Sequence, residues 1–175
     1  MTLPLVVIDA DVLGRRRTGD ETYVANLLRE LGVLAPPDLR LAAVTRRPDL
    51  VPTGIEPIEL PARSQVLRMA VALPRRLRKL RPALGHFQYA IPFGFQAPAV
   101  VTIHDLSFER DRTMMGLRDR LIFRTVVPRA ARRAERILTV SERTRHDLIE
   151  HYGLREDKIV VTLNGVATIL SSRRP

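Results

Sequence analysis

Short apolar runs rich in β-branched residues alternate along this chain with longer stretches of helical periodicity, and that alternation admits few folds. A strand buried on both faces reads as a continuous apolar run, and a helix must follow it to carry the chain back for a parallel neighbour. Leu5-Val6-Val7-Ile8-Asp9 is such a run. A polar loop through Gly14-Arg15-Arg16-Arg17-Thr18-Gly19 comes next. The periodicity then predicts a helix over 20–34, with Tyr23, Leu27, Leu31 and Leu34 on one face and Pro36-Pro37 as its stop. Residues 39–45 and 55–60 read as strands. Ser64 is placed to cap a helix reaching Leu80, which Pro74 should kink or divide. Two more strands are expected over 83–88 and 99–103, then a helix over 115–134 interrupted or bent near Pro128. Residues 137–140 form a strand running into Ser141, the N-cap of a helix that Gly153 ends, and 158–163 is the last strand. The expectation is an α/β fold, a doubly wound Rossmann-like parallel sheet in a single domain over 1–166.

Composition narrows the function classes. The 175 residues can build one domain with a proper core. There are no cysteines, which excludes disulfides, thiolate metal sites and cysteine nucleophiles, and accords with a cytoplasmic location. No apolar run approaches the roughly 20 residues of a membrane span, and no signal peptide is expected from Met1-Thr2-Leu3-Pro4-Leu5. The formal charge is +10, from 29 Lys+Arg against 19 Asp+Glu, and Lys79 and Lys158 are the only lysines. Such a field attracts the phosphates of nucleotides, nucleic acids or anionic lipids. A genome that favours Arg codons would produce the same excess.

In doubly wound sheets ligands lie beyond the carboxyl ends of the strands. The loop after the first strand, with Arg17, Thr18 and Gly19, brings glycine and exposed N–H groups to a helix start, a setting for a phosphate; it also reads as a plain connecting turn. It matches neither G-x-G-x-x-G nor a Walker loop. Gln88 and Tyr89, ending a strand, offer an amide and a ring to a sugar, or simply close the strand. His104 and Asp105 follow a buried strand: the imidazole can exchange a proton with a hydroxyl while the carboxylate orients it, or the pair is a structural turn. His86 and His104 are the only histidines near this rim, so no metal site is expected. The arginine-laden helix from Arg63 to Arg81 suits an anionic membrane surface, or is a solvated face whose arginine stems cover core leucines. The second basic run, 118–136, reads as an ordinary surface helix. No nucleic-acid motif accompanies the charge, so no specific nucleic-acid partner is expected.

The order of these segments resembles family 4 retaining glycosyltransferases of the GT-B fold. The strings are Thr18-Gly19-x-x-x-Tyr23 with Asn26-Leu27, His86-x-Gln88-Tyr89, and Thr102-x-His104-Asp105-Leu106-Ser107-Phe108-Glu109. They continue with Ile137-Leu138-Thr139-Val140-Ser141-Glu142, Tyr152-Gly153-Leu154, and Lys158-Ile159 through Asn164-Gly165-Val166. The resemblance implies the N-terminal, acceptor-side half of a two-domain enzyme. It transfers a sugar, mannose in many similar members, from a nucleotide sugar to a hydroxyl of a glycan or lipid-linked acceptor, without metal or other cofactor. It further implies that Gly19 and its loop face the donor diphosphate and that His104 lies by the reacting hydroxyl. By the same resemblance Asp105 supports the loop, Ser141 starts a helix at the rim, and Asn164 and Gly165 mark the crossing into a donor domain.

The chain departs from that pattern after Val166, where Ala167 replaces the usual Asp and residues 167–175 form a short tail. The donor half is therefore expected elsewhere, separately encoded or in a shifted frame, since GC-rich codons for the tail can be read two bases later as Asp-Asp-Pro-Phe-Glu-Pro-Ala-Ala. One wall alone should not turn over, because catalysis holds both substrates together. A bare cleft wall could also pair with a second copy. The competing reading is a non-catalytic α/β module that binds an acceptor or an anionic lipid surface, at the inner face of the membrane.

Overall fold

The computed structural model describes residues 3–15, 18–62, 64–110 and 116–164, with the backbone alone for Thr18 and Arg110. Seven strands make one sheet: β1 (Leu5–Asp9), β2 (Arg40–Thr45), β3 (Glu56–Glu59), β4 (Leu84–Gln88), β5 (Ala99–Thr102), β6 (Arg136–Thr139) and β7 (Ile159–Val161). Their order is β3-β2-β1-β4-β5-β6-β7, and each neighbouring pair is parallel. The chain builds outward from β1 to β3, returns, and builds the other way from β4. The reversal between β1 and β4 opens a crevice at the carboxyl ends of the strands. This is the doubly wound α/β fold expected from the sequence.

Alternation along the strands feeds a core on each face. Ile8, Leu41 and Ala43 pack with Val24 and Leu28 of α1 (Thr18–Leu34). Val7, Ala42, Val44 and Phe87 pack on the opposite face with Leu73 and Leu77 of α3 (Leu73–Leu80). Val101 and Ile137 meet Ala131 of α5 (Leu117–Arg133) and Leu148 of α6 (Glu142–Tyr152). Each fully buried Leu or Ile of this kind contributes about 1.5–3 kcal/mol. Among the described residues no helix is long and apolar enough to cross a membrane.

The details differ from the sequence expectation in four places. The inward face of α1 centres on Val24 and Leu28, while Leu34 is exposed, because the helix overshoots the sheet before Pro36. Helix α5 is unbroken through Pro128, which takes a single N–H donor from its ladder. The last strand shrinks to three residues, with Val160 exposed on one side of an edge. The tail 167–175 lies outside the described residues.

The fourth difference is at Pro74. Ser64 caps α2 (Gln65–Leu67) through its Oγ, which accepts from Leu67 N at 3.2 Å. The division falls ahead of the proline, as a π-helical turn over Arg68–Ala72 that separates α2 from α3 and leads directly into it. Leu73 N–H bonds Arg68 O, five residues back. Widening the ladder just ahead of Pro74 accommodates a residue that cannot donate. It also sets Leu73 one turn above Arg68, so that both point inward with 0% exposure. On a regular helix five residues make about 1.4 turns and would point the two apart.

Candidate active site

His104 stands at the crevice just past β5, where Ile103 N still bonds Leu138 O of β6 at 2.9 Å. Its backbone oxygen accepts from Thr144 Oγ1 at 3.0 Å, which ties the loop to the first turn of α6. Its Nε2 donates to Gln88 Oε1 at 3.0 Å, an arrangement that leaves Nδ1 as the lone-pair nitrogen. Tyr23 of α1 meets the ring edge-on at 4.7 Å, and Tyr89 flanks it at 5.7 Å. Burial lowers the His104 pKa from its ordinary value, and the pull of Asp20 and Asp105 in the other direction is weaker. The imidazole is therefore neutral at neutral pH, ready to accept a proton from a hydroxyl.

Beneath this ring lies a second chain of bonds. His86 Nε2 is 2.7 Å from Thr102 Oγ1, and Thr102 Oγ1 is 3.3 Å from Tyr23 OH. Burial pushes His86 down to about 4, so it too is neutral. The two histidines thus have separate tasks: His86 anchors the floor that seats Tyr23, and His104 faces the rim.

Tyr89 has φ of +58°, a left-handed backbone that costs a β-carbon residue about 1–3 kcal/mol. Its N–H bonds Thr102 O at 2.9 Å, and its ring packs on Phe123 of α5 at 5.5 Å. These contacts hold the turn that places Gln88 and Tyr89 on either side of His104. Burial, with Asp105 and Asp20 nearby, raises the phenol pKa, so Tyr89 stays a neutral hydroxyl.

Other residues singled out in the sequence fall as follows. Asp105 is exposed, and its Oδ1 accepts from Ser107 N at 2.8 Å, capping α4 (Ser107–Arg110). The amide of Gln88, not the Asp105 carboxylate, therefore orients His104. Ser141 caps α6, accepting from Thr144 N at 3.1 Å, and reaches His104 only through Thr144. Gly19 lies exposed in the first turn of α1, with open space where a β-carbon would stand. Asn164 is exposed beyond β7. Arg17, the Thr18 side chain and Gly165 lie outside the described residues.

The sequence reading missed a buried charge network beside this site. Arg68, taken there as part of a basic helix face, is fully buried. Its two terminal nitrogens clasp Asp9 at 3.0 and 2.5 Å, and its Nε lies 3.2 Å from Asp11 Oδ1. Arg46 Nε is 2.9 Å from the same oxygen, and Arg15 donates to Asp11 Oδ2. Burial raises the Asp11 pKa against the pull of Arg68. The signal was present: Asp9 closes a strand buried on both faces, and a carboxylate there requires a charged partner.

The family model described as Glycosyltransferase Family 4 matches residues 17–169. No curated protein matches the chain. Among solved structures, the crystal structure of a glycosyltransferase from Rickettsia africae ESF-5 superposes with a TM-score of 0.57 at 16% identity. The match covers 95% of this chain and 44% of that one, so the chain spans less than half of that protein's length.

Proposed function

The chain belongs to glycosyltransferase family 4, and on that premise we propose that it forms the acceptor-side wall of a sugar-transfer cleft, with His104 at the acceptor hydroxyl. The observation that carries the reading is the seating of His104: a neutral imidazole at the crevice, clasped by Gln88 and walled by Tyr23 and Tyr89. A nucleotide sugar is the donor, mannose the first sugar to test, and transfer proceeds with retention. Transfer requires the opposite, donor-binding wall, because both substrates must be held together. Gly19 keeps open space at the start of α1, where the donor diphosphate can approach the first N–H groups.

The test combines this chain with the donor-side half of a family 4 enzyme and measures transfer from a panel of nucleotide sugars that includes GDP-mannose. Gly19→Ala should leave the fold intact, since the added methyl meets no atom of the described residues within 4 Å. Transfer should nevertheless drop about 10²-fold, the scale of a displaced substrate. Undiminished transfer by this variant would remove the loop from the site.

A second reading has its own observation. Val66, Leu67, Val71 and Phe93 are exposed, and Phe93 is 82% exposed. Phe93 and Val71 line a shallow groove of about 270 Å³ together with Arg75 and Arg78. No Asp or Glu occurs between Glu59 and Asp105. Apolar side chains rimmed by arginine without carboxylates suit an anionic bilayer surface. The chain should sediment with phosphatidylglycerol vesicles and not with phosphatidylcholine ones. Arg75→Gln with Arg78→Gln should weaken that binding roughly thirtyfold, at about 1 kcal/mol per arginine; equal binding to both vesicle types would retire this reading.

A further inference from the structure

His104 is largely withdrawn from water: its side chain is 11% exposed, and burial is what holds the ring neutral. Accepting a proton turns that ring into a cation, and a cation in a dry setting requires an opposite charge close by. The groups that clasp the ring do not supply one. Gln88 offers an amide, the Thr144 hydroxyl bonds the backbone oxygen, and Tyr23 and Tyr89 bring aromatic rings to its sides. His86, on the floor below, is itself neutral.

Two carboxylates act on the ring, Asp20 and Asp105. Asp105 follows it in sequence but is exposed and commits one oxygen to Ser107 N, at 2.8 Å. Asp20 comes from a different element, the first turn of α1, and brings its Oδ1 to 3.9 Å from His104 Nε2. Its side chain is 34% exposed, so solvent screens it only in part. The neighbouring Glu21 has another task, accepting from Gly14 N at 2.7 Å. A carboxylate in a first helical turn ordinarily serves the helix, whose N-terminus attracts negative charge. Asp20 can serve helix and ring together, because α1 starts where the imidazole stands.

We propose that Asp20 is a positioning residue for the transfer, the carboxylate that answers the charge His104 acquires when Nδ1 takes the proton of the acceptor hydroxyl. The role rests on the sugar-transfer reading, whereas the pairing of carboxylate and ring is measured without any substrate. In the step concerned, the acceptor O–H bond breaks and an N–H bond forms at Nδ1. The electron pair of the oxygen enters the new bond to the sugar carbon, and the bond from that carbon to the diphosphate breaks with its electrons on the phosphate oxygen. Asp20 acts on this through the ring, which it approaches at Nε2.

The experiment follows the His104 Cε1–H resonance of the full chain as pH is varied. That resonance is identified among the four histidines by its loss in His104→Ala. A carboxylate nearby favours the charged ring, so Asp20→Asn should move the protonation midpoint to lower pH. Asp105→Asn should move it less, and Asp20→Glu should keep it close to the wild-type position. Glu30→Gln, on the same helix and paired with Arg29 at 3.1 Å, should leave it unchanged. With the donor-side half supplied, Asp20→Asn should lower transfer about tenfold at neutral pH, less than the loss of a hydrogen-bond donor at a developing charge. Its acid limb should move down in pH together with the midpoint, and Asp20→Glu should recover most of the rate. A melting curve for each variant reads the service to the helix separately. An unchanged or raised midpoint in Asp20→Asn overturns the proposal, whatever its Tm does, and so does undiminished transfer by that variant. Absence of transfer from the wild-type mixture would count against the sugar-transfer reading instead, and the midpoint would still decide whether Asp20 answers the ring.

Discussion

His104→Ala, measured with the donor-side half supplied, is expected to lower sugar transfer by about 10²–10⁴-fold, the span of a positioned acid–base group. The fold should survive, because the ring stands at the rim and its removal leaves Tyr23 bonded to Thr102. Gln88→Leu should weaken transfer less, since it removes the clasp and keeps the imidazole. The pH profile carries the sign. Burial holds His104 below its ordinary pKa, so its neutral form persists through neutral pH and is lost only as the pH falls below that ordinary value. Transfer should therefore be flat near pH 7, decline on an acid limb, and lose that limb in His104→Ala. A rate that rises on acidification would mean that the imidazolium does the work, and our assignment of a proton acceptor would fail.

Arg68→Ala is expected to destabilise the fold by about 3–5 kcal/mol, because it strands the buried Asp9 carboxylate and weakens the pairing of Asp11. Asp9 loses both of its guanidinium contacts, and Asp11 loses one of three. Against a total stability of about 5–15 kcal/mol, this is a large share. Denaturant unfolding measures it directly. The companion variant Asp9→Asn with Arg68→Met removes both charges and should recover much of the loss, since the cost lies in leaving a charge without its partner. If the single variant unfolds at the wild-type midpoint, the network is ornamental.

The architecture could be read from the chain because its determinants are local. Runs such as Leu5 to Ile8 admit burial on both faces, and Ser141 and Gly153 announce the ends of α6 by their own chemistry. His104 and Gln88 were legible as rim residues because strand ends are where such folds bind ligands. Their relation was not legible, since the bond between them crosses from one strand end to the next and depends on the turn at Tyr89. Asp105 looked like the partner of His104 by adjacency; the first turn of α4 competes for it and wins. Arg68 was hidden by company. It lies among arginines that do face solvent, and only the wide turn ahead of Pro74 carries it inward.

That turn gives the helix a single spare residue, and the molecule cannot easily give it back. Removing any one position between Arg68 and Leu73 would let the ladder heal into ordinary α-helix, a gain in local regularity. The price would appear further off: everything beyond the cut would swing by about 100° relative to everything before it. Either the leucines stay seated and the arginine turns out to water, or the arginine keeps its carboxylates and the leucines leave the sheet. A length change that looks harmless in an alignment would thus force the chain to choose between its hydrophobic layer and its electrostatics.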